Sequence, residues 1–274
     1  MKRFLLLSDL HVGSLAGLWP EGFEHEIQGT DGSIQQYILN GTQKRLWDHW
    51  QHLIKTDAQK ADAILINGDL CDGTHRKSEG MYTVTPDLAV QSEACVELLE
   101  TLPSVPTYIT QGTHYHTREN QPMEQYLAER IGAEYGPDLV IEECGIRMYA
   151  RHTIGASNST WQYMTTAPAR DHMLLYLNRA QDKYGEIDVA AFSHRHQFVA
   201  AEYGSGIALV TPCWQSRTAY AVKKGIVGMP DVGWVTLRID NRRSIAIDRN
   251  NIINLERPCK IVGSKIDRPR KGKK

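Results

Sequence analysis

Four short apolar runs, each ending abruptly in polar residues, constrain the fold of this chain more than any other feature of its sequence. Because the runs do not alternate apolar with polar residues, each predicts a strand that is buried on both faces. The runs are Arg3–Leu7, Ala63–Ile66, Thr107–Thr110 and Val189–Phe192. The residues that follow them are Ser8-Asp9-Leu10-His11, Asn67-Gly68-Asp69, Gln111-Gly112-Thr113-His114 and Ser193-His194-Arg195-His196.

The segments between these runs predict helices, and the second half of the chain predicts further strands. The predicted helices are Ile34–Gln59, with Gly41 as a possible break, Asp87–Leu102, Pro122–Ile131 and Ala169–Tyr184. The predicted later strands are Leu139–Glu142, Ile146–Arg151, Phe198–Glu202, Ile207–Thr211, Val232–Ile239 and Ser244–Ile247. A strand–helix order early and a strand-rich order late favour two packed sheets flanked by helices over a Rossmann sheet.

Composition is that of a globular chain with a substantial core. The 274 residues are 41% hydrophobic and 23% charged, and a formal net charge of −1 excludes a uniformly basic or acidic surface. We expect one large domain over residues 1–256 and a basic tail over 257–274, which is more simply a solvated tail than a nucleic-acid contact. Residues 14–33 form a long connection, either a lid or substrate wall or a simple surface excursion.

The remaining composition bears on the cellular setting. The opening apolar run is too short for a signal peptide, and no apolar stretch approaches the about 20 residues that span a bilayer. The five cysteines are scattered, with no CxxC pair, and therefore predict reduced thiols in the cytoplasm. Cys71, between two acidic residues, is expected to be a buried structural thiol.

The residue types at the strand ends are those that bind metal ions. Asp9 and His11 flank one residue, so in an extended segment their side chains point to the same side. His194 and His196 repeat this spacing, and Gly68 lets the chain turn sharply and aim the Asp69 carboxylate into a cleft. A mixture of oxygen and nitrogen ligands favours Mn, Fe or Zn over Mg or Ca alone.

Taken together, these short pieces resemble the calcineurin-like metallophosphoesterase family. The pieces are Asp9-Leu10-His11, Gly68-Asp69-Leu70-Cys71-Asp72, Gly112-Thr113-His114, His152 and His194-Arg195-His196. The resemblance implies an α/β fold, a four-layer αββα sandwich of two mixed sheets. It also implies hydrolysis of phosphoester bonds by a water activated between two divalent metal ions, with Mn preferred and Fe or Zn as alternatives.

The resemblance further implies which residues bind the two ions. The implied ligands are Asp9, His11 and His196 for the first ion, Asp69 for both ions, and His152, His194 and position 113 for the second. The family usually places asparagine at this last position, where this chain has Thr113, a poorer ligand. The second ion would then be bound more loosely, or water or His116 would fill the gap. An ordinary loop hydrogen bond is the alternative role of His116.

The resemblance also places the residues around the metal centre. His114 would protonate the leaving group. Asp72 would orient His114 or a ligand histidine, with a turn cap or a solvated surface position as the alternatives. Independently of the resemblance, Arg195 should point away from the ligands that flank it if the strand stays extended. Weaker candidates for phosphate contact are Arg118, Arg151 and Arg217.

Two functional hypotheses follow. The first is a phosphoesterase, with a phosphodiesterase or nuclease slightly favoured by the basic tail and by aromatic residues near the predicted loops. These aromatic residues are Trp19, Tyr115, Trp161 and Trp214. The alternative is a catalytically weakened metal-binding scaffold on the same fold, which the threonine at position 113 favours. Substrate, native metal and oligomeric state are not predicted.

Overall fold

The computed structural model describes most of the chain. The described residues are 1–26, 32–74, 80–114, 116, 122–154, 163–178, 184–223, 225, 228–249, 251–253 and 255. The predicted basic tail, Tyr115, Arg118 and Trp161 lie outside these residues. None of the described helices is long and apolar enough to cross a membrane.

The first sheet has six strands in the order β13-β12-β1-β4-β5-β6. Strands β1, β4, β5 and β6 run parallel to one another, and β12 pairs antiparallel with β1 and with β13. The strands are β1 (Lys2–Leu7), β4 (Ala63–Asn67), β5 (Thr107–Thr110), β6 (Glu134–Gly136), β12 (Val235–Ile239) and β13 (Ile245–Asp248).

The second sheet has five strands in the order β10-β11-β9-β8-β7. Strand β9 is parallel to β8 and β11, whereas β7 and β10 pair antiparallel. The strands are β7 (Asp138–Glu143), β8 (Ile146–Arg151), β9 (Val189–Phe192), β10 (Val199–Tyr203) and β11 (Gly206–Val210). The predicted β7–β8 hairpin is present, and its turn residues Cys144 and Gly145 both have positive φ.

Helices cover the outer faces of both sheets. The α-helices are α1 (Gly41–Lys55), α2 (Leu88–Glu100), α3 (Met123–Ile131), α4 (Thr166–Asn178) and the short α5 (Ala219–Lys223), with a 3₁₀ turn at Ala58–Lys60. Helices α1 to α3 pack on the first sheet, and α4 packs on the second. Within β1, Leu5 and Leu7 face the helices whereas Phe4 and Leu6 face the second sheet. The predicted αββα sandwich and its doubly buried strands are therefore confirmed.

The start of the first helix differs from the prediction. Residues 34–36 form strand β3, which pairs with β2 (Glu24–Glu26), and the helix begins only at Gly41. Asn40 stops the helix from extending further toward the amino terminus, because its side chain accepts hydrogen bonds from the amides of Thr42 and Gln43. The fourth helix also differs, since it begins at Thr166 and its described part ends at Asn178.

The segment after β1 is less exposed than a surface excursion would be. Leu18 and Trp19 within it are fully buried, and Phe23 is nearly so. All three pack in the core beneath α1. Trp214 is also fully buried and stacks on Trp234, so neither Trp19 nor Trp214 is available to stack on nucleic-acid bases.

The core between the two sheets should carry much of the stability. Leu65 of β4 lies there and is fully buried, whereas Leu174 of α4 is 49% exposed. Leu65→Ala should lower the free energy of unfolding by about 2–5 kcal/mol, because it leaves a cavity. Leu174→Ala should change it by about 0.5 kcal/mol or less. Urea unfolding measures both, and equal effects would contradict the packing described.

Candidate metal centre

The polar residues that follow five strands converge at one edge of the sandwich. Because β1, β4 and β5 are parallel to one another, and β8 is parallel to β9, their carboxyl ends lie together. Buried hydrogen bonds join the two sheets there. The Asn67 side-chain amide donates to Ser193 Oγ at 2.6 Å, and the Ser193 and Ser8 hydroxyls both bond to Thr211.

The backbone at this edge is left-handed rather than extended, so that part of the prediction is wrong. The positive φ angles are 50° at Asp9, 46° at His11, 52° at Asp69, 73° at His194 and 56° at His196. Such angles are uncommon for residues other than glycine and persist only where the surroundings enforce them. Here the amides of Asp9 and His11 donate to the carbonyls of Gly68 and Asp69, which ties the two strand ends together.

One cluster joins the residues after β1 and β9. His196 Nε2 lies 3.2 Å from Asp9 Oδ1 and 3.2 Å from His11 Nε2, and His11 Nε2 lies 3.9 Å from Asp9 Oδ1. Asp9 and His11 are buried. One carboxylate and two imidazole nitrogens thus face a common point, as the ligands of a cation do.

A second cluster forms around Asp69. His152 Nε2 lies 3.0 Å from Asp69 Oδ2 and 3.8 Å from Asp9 Oδ1, and His194 Nδ1 lies 4.0 Å from Asp69 Oδ2. His152 is fully buried, whereas the His194 side chain is 47% exposed. The buried His152 thus borders both clusters, and His194 borders solvent.

Asp69 also belongs to a third group, with His11 and His116. His116 Nε2 lies 3.9 Å from Asp69 Oδ2, and its ring meets that of His11 edge-on with centroids 4.7 Å apart. The Asp69 carboxylate therefore lies between the two sets of histidines.

Hydrogen bonds behind the rings determine which nitrogen faces the clusters. His152 Nδ1 bonds to the carbonyl of Asn67 at 2.6 Å, and His11 Nδ1 bonds to Asp72 Oδ1 at 3.1 Å. Carbonyl and carboxylate oxygens accept, so each Nδ1 carries the proton and each neutral ring presents an Nε2 lone pair. Of the roles considered for Asp72, orientation of a ligand histidine fits this contact.

Opposite charges at the site shift the pKa values strongly. Burial alone would raise the pKa of Asp9, but the neighbouring His152 and His196 rings outweigh it and bring that pKa down to about 2. Burial would lower the pKa of His152, but the carboxylates of Asp69 and Asp9 outweigh it and raise that pKa to about 9. The site thus holds positive charge strongly.

The buried atoms that lack hydrogen bonds fit a metal ion. Asp9 Oδ1 and His152 Nε2 are both buried and make no well-aligned hydrogen bond among the described residues, although His196 Nε2 and Asp69 Oδ2 lie only 3.2 and 3.0 Å from them. A shared divalent cation would satisfy both atoms. The donor set of carboxylate oxygens and imidazole nitrogens suits Mn, Fe or Zn.

Two glycines allow Asp69 and His152 to approach the backbone. A Cβ at Gly68 would lie 2.6 Å from the His152 ring, and one at Gly112 would lie 2.3 Å from Asp69 Oδ1. The chain therefore comes close enough for the Thr113 amide to donate to Asp69 Oδ1 at 2.6 Å. The Thr113 hydroxyl lies 3.1 and 3.2 Å from the two Asp69 oxygens, to which it donates.

The other predicted residues lie around this edge. His114 follows Thr113 and is exposed. Arg195 does point away from the ligands, since its guanidinium donates to the carbonyl of Met164. Arg151 is engaged by Asp171 at 2.8 Å, and Cys71 is a buried thiol as predicted.

Sequence reasoning missed Asn67 and Glu124. Asn67 ends β4 directly before Gly68, a position that could have singled it out. Glu124 resembles an ordinary acidic residue in the first turn of a helix, so no sequence signal distinguishes it. Both of its carboxyl oxygens are nevertheless buried with no hydrogen bond among the described residues. Burial, and then the charge of Asp69, raise the pKa of Glu124 to about 7.

Comparisons with known proteins agree with this arrangement. Residues 2–198, well over half of the chain, match the family model described as calcineurin-like phosphoesterase. No curated protein matches the chain significantly.

Several solved structures are similar in fold. A conserved uncharacterized protein of Streptococcus pneumoniae TIGR4, described as a predicted phosphoesterase, is 12% identical, with 93% of this chain and 90% of that chain covered and a TM-score of 0.40. Vps29 of Entamoeba histolytica, complexed with zinc, is 13% identical, with 93% and 99% covered and a TM-score of 0.42. An archaeal phosphodiesterase is 10% identical, with 92% and 99% covered and a TM-score of 0.45.

Glu124 should make the metal-free protein less stable as pH rises. Its pKa is raised from an ordinary 4.5 to about 7, so the folded state binds its proton more tightly than the unfolded state does. The loss of unfolding free energy caused by ionising Glu124 is absent below pH 4.5. It grows to about 3 kcal/mol near pH 7, at about 1.4 kcal/mol for each pKa unit. Relative to the native protein, Glu124→Gln should therefore gain stability across this pH range.

Urea unfolding in the presence of a chelator, at intervals from pH 4.5 to 8, measures this difference. Glu129→Gln is the matched control, because Glu129 lies on the same helix and is exposed. A stability difference between the native protein and Glu124→Gln that stays constant with pH would contradict the prediction.

Proposed function

The chain belongs to the calcineurin-like phosphoesterase family, and we propose that it hydrolyses phosphoester bonds with two divalent metal ions at this edge of the sandwich. The observation that carries the proposal is the buried Asp69 carboxylate, which lies between two groups of histidines. Bound there, two cations would activate a water and neutralise charge on the phosphoryl group.

The proposed ligands follow the clusters. Asp9, His11 and His196 would hold one ion, because their ligand atoms lie within 4.8 Å of one another. His152 and His194 would hold the other ion. Asp69 would be shared, and Mn is the preferred metal, with Fe and Zn as alternatives.

The surrounding residues would orient a metal ligand and protonate the leaving group. Asp72 holds the ring of His11 in place through Nδ1, which keeps Nε2 directed into the site. His114 would give a proton to the departing alkoxide, since its exposed side chain, next to the site, is open to substrate. An imidazole suits this step because its ordinary pKa lies near neutrality.

The choice between diesters and monoesters stays a prediction. The slight preference for a phosphodiester or a nucleic acid rested partly on four aromatic residues. Two of them, Trp19 and Trp214, are fully buried and give it no support. The cytoplasmic setting and the domain boundary at residue 256 also stay predictions.

A metal-binding scaffold without turnover is the second candidate. The observation that favours it is the Thr113 hydroxyl, which donates to Asp69 where the family usually offers an asparagine carbonyl. If the second ion is held weakly, both water activation and charge neutralisation suffer. Stoichiometric metal binding without hydrolysis of any phosphoester would favour this candidate.

Metal-dependent hydrolysis is the direct test. With Mn added, the protein should hydrolyse a chromogenic phosphodiester or its monoester, and chelation should abolish the activity reversibly. Asp69→Asn should lower kcat/KM about a thousandfold, because loss of the shared carboxylate removes several kcal/mol of transition-state stabilisation.

Asp138→Asn is a control, since Asp138 lies on β7 outside the site's clusters and bonds to Tyr149. Activity that survives both chelation and Asp69→Asn would contradict the metal mechanism. A preference for the diester would make nucleic acids the next substrates to test, and a preference for the monoester would make small phosphate esters the next ones.

The proposed acid role of His114 depends on the leaving group. His114→Ala should slow turnover by about 100-fold or more for substrates with poor leaving groups, and by much less for nitrophenyl esters that need no protonation. Parallel kinetics on an alkyl ester and a nitrophenyl ester measure this contrast. Equal effects on the two esters would remove His114 from that role.

A further inference from the structure

We propose that His116 adds a further ligand to the metal centre through Nε2, together with His11 and Asp69. The inference rests on the proposed metal centre but not on its turnover. The family pattern assigns no metal to His116, and the evidence for this role comes from its position in the fold.

The loop after β5 brings His116 back to the site. The His116 amide donates to the Thr113 carbonyl at 3.0 Å, which closes a turn between the two residues. The turn lets the Thr113 amide reach Asp69 while the His116 ring packs edge-on against His11. His114, inside the same turn, is exposed. The turn thus returns His116 to the edge where the strand ends meet, beside His11.

The His116 ring is anchored in the same way as two proposed ligands. Its Nδ1 bonds to the carbonyl of Asp72 at 2.6 Å, as that of His152 bonds to the carbonyl of Asn67 and that of His11 to the Asp72 carboxylate. Since a carbonyl only accepts, His116 Nδ1 carries the proton and Nε2 presents its lone pair in the neutral ring. This backing is typical of histidines that bind metals.

The partners of His116 Nε2 are also metal ligands. It lies 3.9 Å from Asp69 Oδ2, and the ligand atoms of His116, His11 and Asp69 lie within 4.8 Å of one another. A separation of 3.9 Å leaves room for a cation bound by both atoms, since metal–nitrogen and metal–oxygen distances are about 2.0–2.2 Å.

Cobalt binding tests the proposal without relying on hydrolysis. Co²⁺ is titrated into the metal-free full chain, and bound metal is measured by equilibrium dialysis together with the visible spectrum. His116→Ala should lower the affinity for one equivalent of Co²⁺ by a factor of about ten or more and change the visible spectrum of the bound Co²⁺. His52→Ala is the control and should leave binding unchanged, because His52 is exposed on α1 and belongs to none of the clusters.

A variant of similar side-chain volume provides a second arm. His116→Leu, which keeps most of the side-chain volume but has no ligand atom, separates a ligand role from simple packing and should bind Co²⁺ as weakly as His116→Ala. Circular dichroism of each metal-free variant monitors folding.

A measurement on the unaltered chain avoids variants that fail to fold. On addition of Zn²⁺, the ¹⁵N resonance of His116 Nε2 should shift as those of His11 and His152 do. Unchanged Co²⁺ affinity and spectrum in His116→Ala, or an unshifted His116 resonance at saturating Zn²⁺, would overturn the proposal. Normal Co²⁺ binding with no hydrolysis by the native chain would overturn only the proposed function.

Discussion

The arrangement of the site depends on a carboxylate that is almost completely removed from water. Asp69 is 1% exposed, and burying a charge is costly unless other groups pair with it. The Thr113 amide donates to one of its oxygens, and His152 and His116 approach the other. This side chain needs positive charge and hydrogen-bond donors around it, and that need organises the surrounding loops.

The loops meet that need at a conformational cost. Asp69 and four neighbouring non-glycine residues have left-handed backbone, each costing about 1–3 kcal/mol, and Gly68 and Gly112 allow approaches that a Cβ would block. The tightly packed layer between the sheets, together with the bonds from Asn67 to Ser193, keeps the two sets of strand ends together. A rigid sandwich with strained ends is the form expected of a site that is organised before its ligand arrives.

Much of this could be predicted from the sequence because the relevant signals are local. Apolar runs predict buried strands, and β1, β4, β5 and β9 lie where expected, since each must bury side chains on both faces. Asp87, where the second predicted helix begins, caps α2, and this signal is local because a capping carboxylate acts on amides only two residues away. The prediction began the first helix too early, because the pattern of apolar residues is helical on both sides of Asn40. The capping box at Asn40 nevertheless makes the helix begin at Gly41.

The sequence by itself determined the layers of the fold, the residue types at the strand ends and the family, because apolar periodicity and ligand chemistry are properties of short segments. Only the tertiary structure decided which side chains meet. His116 faces Asp69 while His114 is exposed, although the two lie two residues apart, because one turn in the loop after β5 orients them. Glu124 acquires its raised pKa only from its neighbours in space, which no local pattern records.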